Sequence, residues 1–262
     1  MLPDLKQLHE LLVLASKQEL LPRFAEVTRA EKPDGSIVTS ADIAMQKNIQ
    51  ENLNRLWPEY NFLGEEMTED EQQSLLNDSN MGLWCLDPLD GTSNFAAGIP
   101  FFAVSLALII NGEVVLGLVY DPVRDECFSA QKGQGAWLNT TRLTAREFGL
   151  PLNRSIAVVD FKRLPAPLAA KLVKHPPYYS QRNFGSVALE WCWLAAGRFQ
   201  VYLHGRQRVW DYAAGSLILA EAGGHAATLE DDTPCGMEFK PCSVVVALDS
   251  SLFDAWRGWL KT

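Results

Sequence analysis

Apolar residues recur along the chain with two different periods. Leu5, Leu8, Leu12 and Ala15 are spaced by three and four, which predicts an amphipathic helix that Pro22 kinks or ends. Met45, Ile49, Leu53 and Leu56 form a second stripe of the same kind. Thr39 or Ser40 is the expected N-cap of that helix, and Pro58 ends it. Before it, Pro33-Asp34-Gly35-Ser36 is turn chemistry and Ile37–Thr39 a short extended piece. Tyr60–Leu63 and Leu83–Leu86 read as strands, and the polar stretch Thr68–Asn80 as a surface helix or loop. Phe102–Ile110, Val114–Tyr120 and Glu126–Ala130 are strand-like, and Asn111-Gly112 between the first two is a hairpin signal. The first half therefore predicts helices packed on a largely antiparallel sheet.

After Pro151 the pattern changes. Apolar strands at Ile156–Val159, Phe199–Leu203 and Val244–Leu248 alternate with helical stretches at Ala166–Val173, Ser186–Ala196, Tyr212–Ala222 and Ser251–Leu260, which suggests an α/β layer. Gly223-Gly224 reads as a helix C-cap followed by a turn. With no internal repeat and no Ser/Gly linker, the change near 140–152 predicts a packed junction: residues 1–145 and 146–262 as two parts of one compact unit.

The length of 262 residues is enough for a substantial core. A formal net charge of −9 argues against a nucleic-acid polymer, which needs clustered positive charge, and against an anionic membrane surface. The longest apolar run, Ile99–Ile110, contains Pro100 and Ser105 and is too short to span a bilayer. The N-terminus lacks a basic region followed by an apolar stretch, so no secretory signal is expected. Cys85, Cys127, Cys192, Cys235 and Cys242 are scattered with no CxxC pair, so reduced thiols in a cytoplasmic protein are expected.

Candidate chemistry concentrates in Trp84-Cys85-Leu86-Asp87-Pro88-Leu89-Asp90-Gly91-Thr92-Ser93-Asn94-Phe95. A buried strand here delivers two carboxylates, and Gly91 lets the chain turn into a helix start at Thr92-Ser93. Backbone N–H groups at such a start attract anions. Carboxylates beside them would repel a phosphate unless a hard divalent cation lay between. Gly64-Glu65-Glu66 at a strand end, Asp42 in the first turn of the second helix, and Trp210-Asp211 at another helix start each have an ordinary structural reading. Together they suggest an acidic site.

These segments resemble the inositol monophosphatase family, within the lithium-sensitive, magnesium-dependent phosphatase superfamily. Ile37-Val38-Thr39-Ser40-Ala41-Asp42 is similar to its V-T-x-x-D, and Leu63-Gly64-Glu65-Glu66 to its G-E-E. Residues 84–95 resemble W-x-x-D-P-[IL]-D-G-T-x-N-F at every specified position. Trp210–Gly215 followed by Glu221–Gly224 resembles W-D-x-A-A-G … E-A-G-G. The resemblance implies an α/β (α+β) fold, an inositol monophosphatase/fructose-1,6-bisphosphatase-like α-β-α-β-α layered sandwich with the site where the two halves meet. It implies Glu65, Asp87, Asp90, Asp211 and the Leu89 carbonyl as metal ligands, for two or three Mg2+ per site. Asp42 and Thr92, with Glu65, would activate water, and Gly91, Thr92 and Ser93 would hold phosphate. Asp90, Gly185, Ser186, Val187, His204 and Asp211 would contact the substrate. It also implies inhibition by Li+ and a cytoplasmic homodimer acting on a small phosphorylated metabolite.

Two departures bear on the substrate. The family's Gly-Ser/Thr-Ala turn is Gly185-Ser186-Val187 here, and a Glu that contacts the polyol ring in inositol-cleaving members is His204. Neutral His offers one donor and one acceptor where Glu offers only acceptors. Arg206 and Arg208 nearby read as solvated, or as partners for a second negative group. The expected function is Mg2+-dependent hydrolysis of a small phosphorylated polyol, inositol 1-phosphate first. The alternatives are a fructose-1,6-bisphosphatase, a 3′-phosphoadenosine 5′-phosphate phosphatase, or a regulatory protein-interaction module retaining the fold.

Overall fold

Helix α1 (Leu5–Ala15) is capped by Asp4, whose carboxylate accepts the Gln7 N–H at 3.0 Å, and it buries Leu8, Leu12 and Ala15. The helical path then widens into one π-type turn over Ser16–Leu20 and tightens over Leu21–Arg23, where Pro22 ends it. The structure, a computed structural model, describes residues 2–26, 30–31, 37–77, 82–144 and 149–262. The turn expected at 33–36 and the end of the polar stretch at 78–80 lie outside these residues.

The two short strands β1 (Ala30–Glu31) and β2 (Ile37–Val38) pair antiparallel and lead to Thr39, the cap of α2 (Ser40–Leu56). There follow β3 (Asn61–Gly64), α3 (Glu69–Asn77), β4 (Leu83–Asp90), α4 (Thr92–Ala97), β5 (Ala103–Ile110), β6 (Glu113–Asp121), β7 (Glu126–Gln131), β8 (Ala136–Leu138) and β9 (Thr141–Leu143). Strands β3 to β9 form one seven-stranded sheet in chain order, parallel only between β3 and β4. The β5–β6 hairpin turns at Asn111 and Gly112, both with positive φ (53° and 75°), as the sequence predicts. One boundary differs. The apolar pattern ends the fourth strand at Leu86, whereas pairing with β5 continues to Asp90, opposite Ala103. The register shifts between Asp87 and Asp90, and this irregularity accommodates Pro88, which has no N–H for a regular ladder.

The remainder runs β10 (Ile156–Asp160), α5 (Ala166–Lys174), β11 (Ser180–Arg182), α6 (Val187–Ala195), β12 (Val201–Gln207), α7 (Val209–Ala222), β13 (His225–Ala227), β14 (Cys242–Ala247) and α8 (Ser250–Lys261). Its five-stranded sheet has the order β11-β10-β12-β14-β13, parallel on the β11-β10-β12 side and antiparallel beyond.

Three apolar clusters define the layers. Leu8, Leu12, Met45, Ile49 and Leu53 of α1 and α2 pack on one face of the first sheet with Trp84, Leu106 and Leu118. The other face meets α6 and α7, where Trp191, Ala214 and Ile218 lie between Ala107 and Val119 of the first sheet and Val158, Tyr202 and Val246 of the second. Leu172 of α5 and Leu252 and Trp256 of α8 cover the outer face of the second sheet with Val159, Leu203 and Val245. The fold is thus an α-β-α-β-α sandwich, with α6 and α7 as the shared middle layer.

One expectation is corrected. Cys235 and Cys242 are joined by a disulfide across a loop, with Cα atoms 6.2 Å apart, while Cys85, Cys127 and Cys192 are buried free thiols. The pairing depends on the loop folding back into β14, which no CxxC spacing announces. Among the described residues, no helix is long and apolar enough to cross a membrane.

Candidate active site

The acidic residues converge because each stands at the end of an element. Asp42 lies in the first turn of α2 and is fully buried. Its Oδ2 accepts the Thr39 N–H (2.8 Å) and the Thr39 hydroxyl (2.6 Å), a capping box that fixes the carboxylate. Its Oδ1 faces the Thr92 hydroxyl at 3.0 Å. Thr92 Oγ1 also lies 2.9 Å from the Leu89 carbonyl oxygen, and its single proton serves one acceptor at a time. The chain reverses between Leu89 and Thr92 at Gly91, with φ +93°. A Cβ there would press on the carbonyl oxygens of Phe101 and Gly185, so the turn needs glycine for conformation and for space.

Glu65 follows β3, and its N–H donates to the Leu86 carbonyl at 3.1 Å. Gln72 of α3 holds the turn by donating Nε2 to the carbonyls of Gly64 (3.0 Å) and Glu65 (2.9 Å). Asp87 is buried, accepts the Leu89 N–H at 3.0 Å, and shares a side-chain hydrogen bond with Glu65. Asp90 reaches the second half: its carboxylate accepts the Ser186 hydroxyl (2.5 Å) and the N–H groups of Val187 (3.1 Å) and Ala188 (2.7 Å). A side chain ninety-six positions away in sequence from Ser186 thereby caps α6. Asp211 is in the first turn of α7 and accepts the Arg208 N–H at 2.8 Å. The Ser105 hydroxyl, on β5 opposite Asp87, donates to the Trp210 carbonyl at 3.1 Å and sets the start of α7 against the first sheet.

The charges of these groups register on one another. Burial pushes Asp87 well above the usual carboxylate range, and Glu65, Asp90 and Asp211 push it further. Burial lifts Asp90 to about 6 against the opposing bonds from α6, with Glu65 adding to the rise. Asp211 rises to about 8, from burial first and then from Asp90 and Glu65, with Arg163 opposing. Asp42 is raised by burial, which outweighs its bonds to Thr39 and Thr92. Among the described residues, no group of three or more His, Cys, Asp or Glu is already gathered tightly enough to hold an ion. The donors are nevertheless all hard oxygens, and mutually repelling buried carboxylates are what a divalent cation neutralises.

The Gly185-Ser186-Val187 turn is brought to this cluster, but its polar groups are occupied. Ser186 and Val187 are bonded to Asp90, and the Gly185 N–H donates to Glu190 Oε1 at 3.2 Å. His204 is not presented to a substrate. It is 2% exposed, its Nε2 lies 3.2 Å from Asp160 Oδ2, and its Nδ1 accepts the Arg206 N–H at 3.2 Å. Burial holds His204 below its ordinary pKa despite Asp160, so both nitrogens of a neutral ring are satisfied inside the protein.

Glu190 stands outside every motif of the sequence, and Asn94 and Glu221, which lie within motifs, have roles that the motifs do not reveal. Glu190 accepts the N–H groups of Phe184 (2.9 Å) and Gly185 and so holds the Gly185-Ser186-Val187 turn in place; a lone acid in the apolar helix segment 187–195 is the available signal. Asn94 donates to the carbonyls of Phe101 (2.9 Å) and Phe184 (2.7 Å), stitching the two halves together. Glu221 accepts the N–H groups of Gly133 and Gly135, both at 2.7 Å, tying the end of α7 to the β7–β8 turn.

The model of the inositol monophosphatase family matches residues 5–255. An inositol-1-monophosphatase of Caulobacter vibrioides is 35% identical over 222 residues, covering 79% of this chain and 83% of the relative. The Nus factor SuhB of Pasteurella multocida is 36% identical over 197 residues, covering 74% and 72%. Among solved structures, the extragenic suppressor protein suhB from Bartonella henselae superposes with a TM-score of 0.82 at 29% identity, over 98% of this chain and 99% of that one. An IMPase/NADP phosphatase complexed with Mg2+ and phosphate superposes with a TM-score of 0.81 over 95% of each chain at 23% identity, a likeness of fold. The chain belongs to the inositol monophosphatase family and is a phosphoric monoester hydrolase.

Proposed function

We propose that this chain hydrolyses the phosphate ester of a small phosphorylated polyol, inositol 1-phosphate first, in a Mg2+-dependent reaction. The observation that carries the reading is the Thr92–Asp42 contact, formed by residues fifty positions apart beside Glu65, Asp87, Asp90 and Asp211. Glu65, Asp87, Asp90, Asp211 and the Leu89 carbonyl would hold two or three Mg2+, all through oxygen donors. When bound there, the ions would lower the pKa of water and neutralise charge on the phosphate.

The protein's own groups have separate tasks. Thr92 Oγ1 takes a proton from the attacking water while passing its own to Asp42 Oδ1. Asp42 stays fixed because Thr39 occupies its other oxygen with two bonds. Gly91, Thr92 and Ser93 offer backbone N–H groups to the phosphate. Asp90, Gly185, Ser186, Val187 and Asp211 line the polyol side, and His204 acts behind them through Asp160. A cytoplasmic location and a homodimeric state belong to the same reading and rest on family membership. A regulatory module is the second reading, favoured by relatives named Nus factor SuhB; retention of all five carboxylates favours the enzyme.

The test is phosphate release with Mg2+ from inositol 1-phosphate, fructose 1,6-bisphosphate, 3′-phosphoadenosine 5′-phosphate and histidinol phosphate. Turnover of inositol 1-phosphate, abolished by chelator and inhibited by Li+, is expected. No turnover of any of the four at saturating Mg2+ refutes the reading.

A further inference from the structure

The sequence draws attention to Arg206 and Arg208 as cations near the substrate; the fold ties Arg208 down and, among the described residues, gives the exposed Arg206 side chain nothing to orient it. Arg208 donates Nη1 to the Phe239 carbonyl at 3.3 Å, lies over the rings of Phe239 and Trp210, and is 3.8 Å from Glu69. Arg206 is exposed and makes no ion pair among the described residues. A third arginine is placed differently. Arg163 closes the short helical turn Phe161–Arg163 that follows β10, and Asp160 caps that turn by accepting the Lys162 N–H at 3.0 Å.

Arg163 is anchored at both its backbone and its side chain. A Cβ on Gly205, in the irregular stretch of β12 just before Asp211, would collide with the Arg163 carbonyl, so the two backbones are in contact. Asp160 and His204 are register partners on β10 and β12, and Asp160 Oδ2 receives both His204 Nε2 (3.2 Å) and Arg163 Nε (3.6 Å). The guanidinium is therefore tethered through Nε. Among the described residues no other carboxylate lies within 4 Å of it, and its side chain is 48% exposed. Its terminal nitrogens make no hydrogen bond among the described residues, and the Gly205 that meets its backbone belongs to the strand leading into the first turn of α7, where Asp211 stands. Arginine in this state suits bidentate recognition of a phosphate, and the tether reduces the entropy lost on binding.

We propose that Arg163, held by Asp160 and His204, is a subsite for a second phosphate on the substrate, so that the enzyme prefers sugar or polyol bisphosphates to the corresponding monophosphates. The inference rests on the phosphatase reading above and narrows its substrate class. His204, the register partner of Asp160 on β12, orients the carboxylate that tethers the arginine.

Fructose 1-phosphate and fructose 1,6-bisphosphate differ by one phosphate and make the test. Initial rates at saturating Mg2+ give kcat/KM for each with the wild type, Arg163→Met, Arg163→Lys and Asp160→Asn. The wild type should favour the bisphosphate. In Arg163→Met the ratio of the two kcat/KM values should fall by roughly ten- to hundredfold, the scale of a lost charge-assisted pair. The fall should sit in KM for the bisphosphate, with kcat little moved. Arg163→Lys should restore part of the ratio, and Asp160→Asn should lower it by a smaller factor. A ratio unmoved by Arg163→Met, or a wild type that prefers the monophosphate, overturns the inference and leaves the phosphatase reading standing. Absence of turnover with both sugars also overturns the inference, and absence of turnover with inositol 1-phosphate, 3′-phosphoadenosine 5′-phosphate and histidinol phosphate as well overturns both.

Discussion

Replacing Glu190 by Gln should make the protein more stable, and more so as pH rises. Glu190 is 2% exposed, and burial raises its pKa from 4.5 to about 8. Between those values the folded protein holds a proton that the unfolded chain has released, so stability falls as pH rises through this window. At pH 7 that costs about 3 kcal/mol, at 1.36 kcal/mol per pKa unit above 4.5. Gln keeps a carbonyl oxygen for the N–H groups of Phe184 and Gly185. Its amide would face the Tyr202 hydroxyl, which already accepts from Gln207 Nε2 at 3.1 Å, a mismatch worth about 1 kcal/mol. The net gain at pH 7 is then about 2 kcal/mol, or roughly 5 °C in Tm for a chain of this size. Thermal melts of wild type and Glu190→Gln from pH 5 to 8, in chelator, measure it directly. The difference should be near zero at pH 5 and largest at pH 8. A variant that melts no higher than wild type at pH 8, or a gain that does not change with pH, would refute the reasoning.

Other consequences can be checked separately. Asp42→Asn and Thr92→Val should each lower kcat on inositol 1-phosphate by about a hundredfold or more, as expected for a lost proton relay, with circular dichroism unchanged; a loss under fivefold in both would remove the pair from the mechanism. Gly205→Ala, which forces a methyl onto the Arg163 carbonyl, should lower stability by about 1–3 kcal/mol in urea titration. A dithiol reductant should open the Cys235–Cys242 bridge and cost about 2 kcal/mol, the loop-closure scale for a separation of seven residues; mass spectrometry after thiol alkylation, paired with a urea melt, would detect both changes.

The sequence was most legible where local signals and global burial agree. Thr39 caps α2 and also positions Asp42, so one capping pattern marked both a helix start and a site residue. Asn111-Gly112 announced its hairpin because a two-residue turn demands positive φ. Strand β4 outruns the apolar pattern that ends at Leu86, because only pairing with β5 carries it through Pro88 to Asp90. The layering required knowing which strands neighbour which. The crossing of β10 between β11 and β12 leaves no local trace in the sequence. Side-chain direction was the least accessible property. Nothing around His204 in the sequence says that its ring turns inward to Asp160, and nothing around Arg163 says that Gly205 lies beneath its backbone. Those facts arise from register between strands more than forty residues apart.

The cap that Asp90 places on α6 also says something about how this chain reaches its native state. A helix whose N-terminal N–H groups are met by its own neighbouring residues can form early and alone. The first turn of α6 instead waits for a carboxylate from β4, ninety-six positions upstream of Ser186, and Asn94 must reach Phe184 across a similar span. Contacts of such separation carry a large loop-closure cost and form slowly. The N-terminal turn of α6 should therefore be among the last regions to gain hydrogen-exchange protection during refolding, after the β5–β6 hairpin. A nascent chain released before residue 186 would carry four of the five acidic groups, those other than Asp211, yet lack the contacts that seat Asp90. Folding order keeps the cluster incomplete until nearly the whole chain is present.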